Sequence, residues 1–288
     1  MAEVKCYIPK TLEEALAIRK ATGAIPLAGG TDLMVQHYEG SGLSPVFKKP
    51  IMIITNLCEL KGIKKMEDGS VEIGALTVSR EIAECEDVHY LVRSAASRMG
   101  AISLRNSATI GGNIGNASPK GDLPQPLILL DAEVELISLE GSRRMLLDDF
   151  IKGAKKTELR EDEIISKVII PPADFTYIFY RKIGTRRANA ISKLSLSAAC
   201  KVKDGKIVDF RASSGAAGPK VARGKDAERM LIGLAPEELK SRKEEFLDAW
   251  NGVISPHAMP EWRRNSTRRM LDYFIDAVAS GSPEGIIE

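Results

Sequence analysis

Val4, Cys6 and Ile8 fall on alternate positions and predict a short strand, and Thr11 with Glu14 predicts a capping box. The helix it opens turns Leu12, Ala15, Leu16 and Ile18 inward and ends near Gly23. Ile25-Pro26-Leu27 is a brief apolar strand that runs into Ala28-Gly29-Gly30-Thr31-Asp32, after which Leu33, Met34 and His37 take helical spacing. Residues 38–49, rich in Gly, Ser, Pro and Lys, predict an exposed loop, followed by a strand at Ile51–Ile54 and, after the Asp68-Gly69 turn, another at Val71–Ala75. Ser79 is placed to cap a short helix, and a second helix over 88–99 carries Leu91, Ala95 and Met99 on one side, with His89 at its start as a surface or capping residue.

Residues 127–130 are apolar, and Glu133-Val134-Glu135-Leu136-Ile137 alternates as a half-buried strand with two solvated glutamates, partnered by residues 143–147. Asp148 and Asp149 are read as caps for the segment at Phe150. Ile164–Ile170 is a strand stopped by Pro171-Pro172, where the pattern breaks, and this sets a domain boundary between 1–172 and 173–288, with a further split of the first part near 55–60. Beyond it the texture is antiparallel: Phe175–Ile183, then 194–203 paired with 206–213 through Asp204-Gly205. Helices follow over 225–233, 236–250 and about 260–279. Arg263, Arg264, Arg268 and Arg269 on the last of these read as solvation or subunit contact, because no aromatic platforms accompany them.

Composition narrows the classes without choosing among them. The 288 residues suffice for two compact units, and 44% hydrophobic and 28% charged residues with net charge +2 give no reason to expect nucleic-acid binding or disorder. Four cysteines scattered at 6, 58, 85 and 200 lack metal or iron-sulfur spacing and read as buried free thiols. His37, His89 and His257 are isolated, so no metal site is expected. No leader pattern opens the chain, and no run reaches the roughly 18 to 20 apolar residues of a membrane span, so cytoplasmic residence is the expectation.

Two small-residue stretches carry the chemistry. Ala28-Gly29-Gly30-Thr31-Asp32-Leu33 is strand, glycine turn and helix start, a geometry that presents free amides to an anion, with Asp32 as a cap on the blander reading. It lacks the third glycine of GxGxxG and is a poor match to a Rossmann fingerprint. The second, Thr109-Ile110-Gly111-Gly112-Asn113-Ile114-Gly115-Asn116 through Asp122, shows no ordinary helical or strand pattern. Its glycines permit unusual backbone angles, so the stretch reads either as a plain Gly/Asn/Ser/Pro turn cluster or as amides curled into a concavity for phosphate oxygens. Lys182 to Ile191 forms a basic turn, either a solvated loop or a route to a cofactor.

The pair Pro26–Leu33 and Arg105–Ile114, followed by Ala117-Ser118-Pro119-Lys120-Gly121-Asp122, resembles the FAD-binding medium subunits of the molybdenum hydroxylases, the family of xanthine, carbon monoxide and nicotinate dehydrogenases. Asp162-Glu163-Ile164-Ile165 and the small C-terminal region extend the likeness over essentially the whole chain. The resemblance implies an α+β fold: a vanillyl-alcohol-oxidase-type (PCMH) FAD-binding domain of two subdomains, then a C-terminal domain with a three-stranded antiparallel sheet and helices. It implies that Leu27, Ala28, Gly29, Gly30, Thr31, Asp32 and Leu33 form one dinucleotide loop, and Ala108, Thr109, Gly111, Gly112, Asn113, Gly115 and Asn116 the other. Asp122 then accepts hydrogen bonds from cofactor hydroxyls, Ile165 packs on the adenine, Lys182 tunes the flavin ring, and Ile191 flanks the isoalloxazine.

By that resemblance the chain takes electrons from a small two-iron two-sulfur subunit and passes them through FAD to NAD or another acceptor, while a large molybdenum-cofactor subunit oxidises the substrate. No metal, nucleic acid or membrane span belongs to this chain, and no side chain need act as a general base. Two departures stand out: Ser103 replaces the glutamine usual two residues before the Arg-Asn pair, and the cysteine insertion that carries a four-iron cluster in one branch is absent. The alternatives are a free-standing FAD-dependent oxidoreductase, for which no convincing acid or base is evident, and a non-catalytic assembly module that has lost flavin, against which the intact glycines argue.

Overall fold

The computed structural model describes residues 4–40, 42–186, 188–283 and 285–287. The first unit holds β1 (Cys6–Tyr7), α1 (Leu12–Thr22), β2 (Ile25–Leu27), α2 (Leu33–Gln36) and β3 (Ile51–Ile53). Its strands form a parallel sheet in the order β1-β3-β2. Thr11 caps α1 by accepting from the Glu14 amide, and Gly23 ends it with φ 62°, its N–H returning to the Arg19 carbonyl. The Arg19 side chain is buried because Nε donates to the Glu163 carbonyl and Nη1 to that of Ala24, which ties this unit to the next.

The second unit contains β4 (Ile63–Lys65), β5 (Val71–Gly74), α3 (Ser79–Glu84), α4 (Tyr90–Ser97), α5 (Ile102–Arg105), α6 (Ile110–Gly115) and α7 (Pro124–Leu129). It continues through β6 (Glu133–Ser138), β7 (Gly141–Leu146), α8 (Leu147–Phe150), β8 (Ile151–Gly153), β9 (Lys156–Thr157) and β10 (Ile164–Ile170). Five strands pair antiparallel in the order β4-β5-β10-β6-β7, with β10 central. That position explains its near-continuous apolar run: Ile164, Ile165, Val168 and Ile170 are all buried.

After Pro171-Pro172 come β11 (Tyr177–Ile183), β12 (Leu194–Lys203), β13 (Lys206–Gly215), β14 (Ala222–Arg223), α9 (Lys225–Arg229), α10 (Leu239–Val253), α11 (Pro260–Ala279) and β15 (Gly285–Ile287). The three long antiparallel strands are those expected. Two short edge strands, β14 and a parallel β15, extend the sheet to five. One face packs under α10 and α11 through Phe179, Phe210, Phe246 and Phe274. The other face joins the core of the second unit through Tyr180 and Ala199. Between them Gln125 is fully buried, donating to the Ser213 carbonyl at 2.7 Å and accepting from Ser197 Oγ at 3.0 Å, a satisfied polar seam that fixes the two domains.

Several local expectations differ from the structure. Residues 124–129, where the sequence shows only an apolar run from 127, are helical, led by Pro124 at a first turn, where a missing N–H is harmless. Ser79 lies inside α3 and donates to the Ala108 carbonyl, while α8 has no side-chain cap and Asp148 pairs with Lys220 at 2.7 Å. Glu135 is not solvated: Arg144, Lys167 and Ser166 surround it and, against its burial, hold its carboxyl below the usual range. Of the thiols, only Cys200 is buried, which pushes it up to about 12, whereas Cys6 and Cys58 are exposed.

His89 does cap α4, its Nδ1 accepting from the Leu91 amide at 3.3 Å, a role that needs the neutral ring. Burial, reinforced by Arg93 and Arg211, lowers its pKa to about 4. The unfolded chain takes up this proton near the ordinary value and the folded chain does not, so stability falls as pH drops from about 6.5 towards 4, by up to about 3 kcal/mol. His89→Asn keeps a capping acceptor and is expected to flatten denaturant-derived stability across that window; an unchanged slope contradicts the assignment.

Candidate functional site

β2 leaves its sheet directly into the first loop. Gly29 is required by contact: a Cβ there meets the Ser107 carbonyl oxygen at 1.7 Å, because the backbone of this loop lies on the segment that leads to the second. Gly30 is required by conformation, with φ +67°. The turn closes on itself through Met34 N–H to the Gly30 carbonyl and Gln36 N–H to that of Asp32. The amides of Gly29 to Leu33 have no acceptor among the described residues, so five successive donors are left for a ligand. Asp32 makes no side-chain cap to α2.

The second loop is a different device from the open concavity expected. Residues 110–115 are the short helix α6, capped by Thr109, whose hydroxyl accepts from the Gly112 amide at 3.1 Å. Ile110 and Gly111 N–H donate to the Thr77 and Ala75 carbonyls, and Asn113 N–H to that of Thr109, so these amides are taken up by the protein. Neither Gly111 nor Gly112 has a positive φ; Gly111 is small because a Cβ comes 2.7 Å from that of Ala75. Gly115 is small for the buried Ile165, whose Cδ1 lies 3.0 Å from the place of a Cβ. At Gly112 a Cβ meets only Thr109 Oγ1, which leaves one face of α6 open to approach.

Asp32 and Asn116 lace the loops together by a direct hydrogen bond. Gln36 Nε2 donates to both, and Lys155, from the turn between β8 and β9, reaches Asn116 Oδ1 at 2.6 Å and Asp32 Oδ2 at 3.3 Å. Lys155 holds φ 61° while its N–H bonds the Ala117 carbonyl. Sequence reasoning missed both Gln36 and Lys155. Gln36 lies four residues beyond Asp32 on a helix, a spacing that could have pointed to it, while Lys155 in a Gly-Ala-Lys-Lys turn carries no signal.

From Asn113, whose Oδ1 accepts the Leu123 amide at 3.3 Å, the path continues to Asp122. Lys182, arriving on β11 from the C-terminal domain, meets the Asp122 carboxylate at 2.8 Å and the Arg98 carbonyl at 3.0 Å. The pair is enclosed, with 6% and 8% of the two side chains exposed. Ser192, also unforeseen, donates to the other Asp122 oxygen at 2.7 Å. Burial pushes the Asp122 carboxyl up, and Lys182 and Ser192 pull it part of the way back. Tyr180 Oη is buried beside them without a hydrogen-bond partner among the described residues, and its phenol is pushed up by burial and by Asp122. Ile191 stands 72% exposed, and Arg187 of the same turn lies outside the described residues.

The site therefore offers free amides at one end, a helix face in the middle and a buried carboxylate-lysine pair at the other. That arrangement suits an elongated ligand that carries an anionic group and, at a distance from it, a polar ring. Among the described residues no group of His, Cys, Asp or Glu could hold a metal ion, and no helix is long and apolar enough to cross a membrane.

Fold and site define a two-domain dinucleotide-binding protein of the flavin type. Residues 2–173 match the family described as the FAD binding domain in molybdopterin dehydrogenase, and residues 179–278 match the CO dehydrogenase flavoprotein C-terminal domain. The chain is 34% identical over 247 residues to the nicotinate dehydrogenase FAD-subunit of Eubacterium barkeri, with 81% of each chain covered. It is 32% identical over 209 residues to the xanthine dehydrogenase FAD-binding subunit of Escherichia coli O157:H7, covering 70% of each. It also shares its fold with a chain of the carbon monoxide dehydrogenase of Hydrogenophaga pseudoflava, with a TM-score of 0.86 at 24% identity over 96% of this chain and 98% of that one. The chain belongs to the FAD-binding medium subunits of the molybdenum hydroxylases, it is an oxidoreductase subunit, and FAD is its cofactor.

Proposed function

We propose that this chain is the electron outlet of a molybdenum hydroxylase complex, holding FAD between a small two-iron two-sulfur subunit and NAD or another soluble acceptor, while a large subunit oxidises the substrate at molybdenum. The observation that carries the reading is the row of unpartnered amides from Gly29 to Leu33, in line with the buried Asp122–Lys182 pair. In this reading the Gly29–Leu33 amides take a phosphate of the pyrophosphate, and the open Gly112 face lets the chain lie close to α6. Leu27, Ala28 and Ala108 hold the two loops in place, and Ile165, under Gly115, supports the adenine end. Asp122 accepts from cofactor hydroxyls, Lys182 sets the electrostatics of the ring and Ile191 shields it. The FAD-binding domain runs to Pro172, where the diproline separates it from the C-terminal domain.

When bound, FAD supplies a centre that accepts electrons singly and returns them as a hydride. The chain's own residues position it and hold charge; none moves a proton at a substrate. Relatives named as FAD or medium subunits of nicotinate, xanthine and carbon monoxide dehydrogenases support the partner assignment. The test is co-expression with its prospective partners under anaerobic conditions: a complex that contains FAD, iron-sulfur and molybdenum and forms NADH from a hydroxylase substrate supports the full reading. NAD-independent turnover moves the acceptor elsewhere, and a fully active single polypeptide overturns the subunit reading.

A further inference from the structure

The arginine cluster on α11 divides sharply. Arg264 donates to the carbonyl and side chain of Asn251, and Arg268 pairs with Asp248 at 2.7 Å and with Glu244, so these two fasten α11 to α10. Arg263 is only 8% exposed, yet its Nε is sealed from solvent without a hydrogen-bond partner, and no carboxylate among the described residues pairs with it. One turn further on, the buried Thr267 hydroxyl also lacks a partner among the described residues. Both groups can donate, one is a permanent cation, and the described residues supply no acceptor.

Arg263 is the fourth residue of a 20-residue helix, and helical side chains lean towards the N-terminus, so its guanidinium lies over the first turn, where the helix dipole also favours an anion. At the start of the same helix stand Met259, 44% exposed, and Trp262, 39% exposed. An unpaired buried cation is destabilising unless something completes it, and tryptophan, methionine and arginine together are the residues that anchor protein interfaces. We propose that the N-terminal end of α11 is a docking point at which Arg263 receives a carboxylate from the apolar surface of a partner subunit. The proposal rests on the complex-subunit reading above and adds the place and chemistry of the contact. A forked guanidinium matches a carboxylate in two parallel hydrogen bonds, which an ammonium does not reproduce.

Two measurements on the full-length chain test it. In the isolated FAD-loaded subunit, Arg263→Met fills the stem's space and removes the uncompensated charge, so Tm rises by about 2 to 4 °C or more. In co-expressed complexes the same variant binds the partner subunits at least tenfold more weakly, Arg263→Lys is also impaired, and Arg269→Met, at an exposed position on the same helix, binds as wild type. Wild-type assembly with undiminished assembly of Arg263→Met overturns the docking point and leaves the subunit reading intact, whereas failure of wild type itself to assemble overturns the subunit reading. A dimer of this chain lost in Arg263→Met, or stabilisation of the wild type alone by sulfate, assigns the pocket to a second copy or to a small anion and overturns the partner carboxylate.

Discussion

Gly29→Ala is expected to abolish FAD retention. Its Cβ would stand 1.7 Å from the Ser107 carbonyl oxygen and 2.5 Å from the carbonyl carbon, distances that no rotamer change relieves because both partners are backbone. The first loop must therefore lift away from the segment leading into α6, which separates Asp32 from Asn116 and disperses the Gly29–Leu33 amides. Gly112→Ala is the contrasting case, since its Cβ meets only the Thr109 hydroxyl at 3.0 Å, and it is expected to keep the fold while weakening FAD binding moderately. Bound FAD per chain and circular dichroism decide the matter; a Gly29→Ala protein that stays yellow through gel filtration refutes the contact.

Lys182→Met is the second large effect. It leaves the Asp122 carboxylate buried with Ser192 as its remaining side-chain partner, and breaking a buried pair from one side costs about 3–5 kcal/mol. With the cation gone, the carboxyl moves further up from its already raised position. A carboxyl raised in the folded state takes its proton there before the unfolded chain does, so the variant's deficit shrinks as pH falls and is greatest at neutral pH. The double variant Lys182→Met with Asp122→Asn removes the stranded charge and is expected to recover much of the stability at neutral pH. Denaturant unfolding of both variants checks this; an additive loss in the double variant would show that the pair is not an energetic unit.

The elements were legible where one face or one contact decides them. α1 announced both ends, through Thr11 with Glu14 and through Gly23, because local hydrogen bonds and a left-handed residue set the boundaries. The hairpin of β12 and β13 was legible from Asp204-Gly205, and both residues do take positive φ. α6 was not legible: three glycines in six residues hide a helix whose stability comes from the Thr109 cap and from packing against Ala75 and Ile165. Propensity is a weak prior when tertiary contact supplies the energy. The edge strands β14 and β15 are two and three residues long and exist only because a longer neighbour offers its hydrogen bonds.

The structure brings together two loops, a carboxylate and a lysine named from the sequence, and the loops stand out there because their glycines lie under contact. What joins them was hidden. The Asp122–Lys182 pair spans 60 positions and the Lys155 contacts to the loops span 39 and 123, separations at which one sequence carries no pairing information. Likewise the four arginines of α11 look alike in sequence, and only packing distinguishes two that fasten helices from one buried without a partner.

The central claim is that electrons leave the complex through FAD held by this chain. The direct measurement strips FAD from the assembled complex and follows substrate-driven reduction of the iron-sulfur clusters and of the acceptor separately. The clusters are expected still to be reduced while acceptor reduction stops, and added FAD is expected to restore it with wild-type loops but not with the Gly29→Ala subunit. Acceptor reduction that continues undiminished without FAD would contradict the claim.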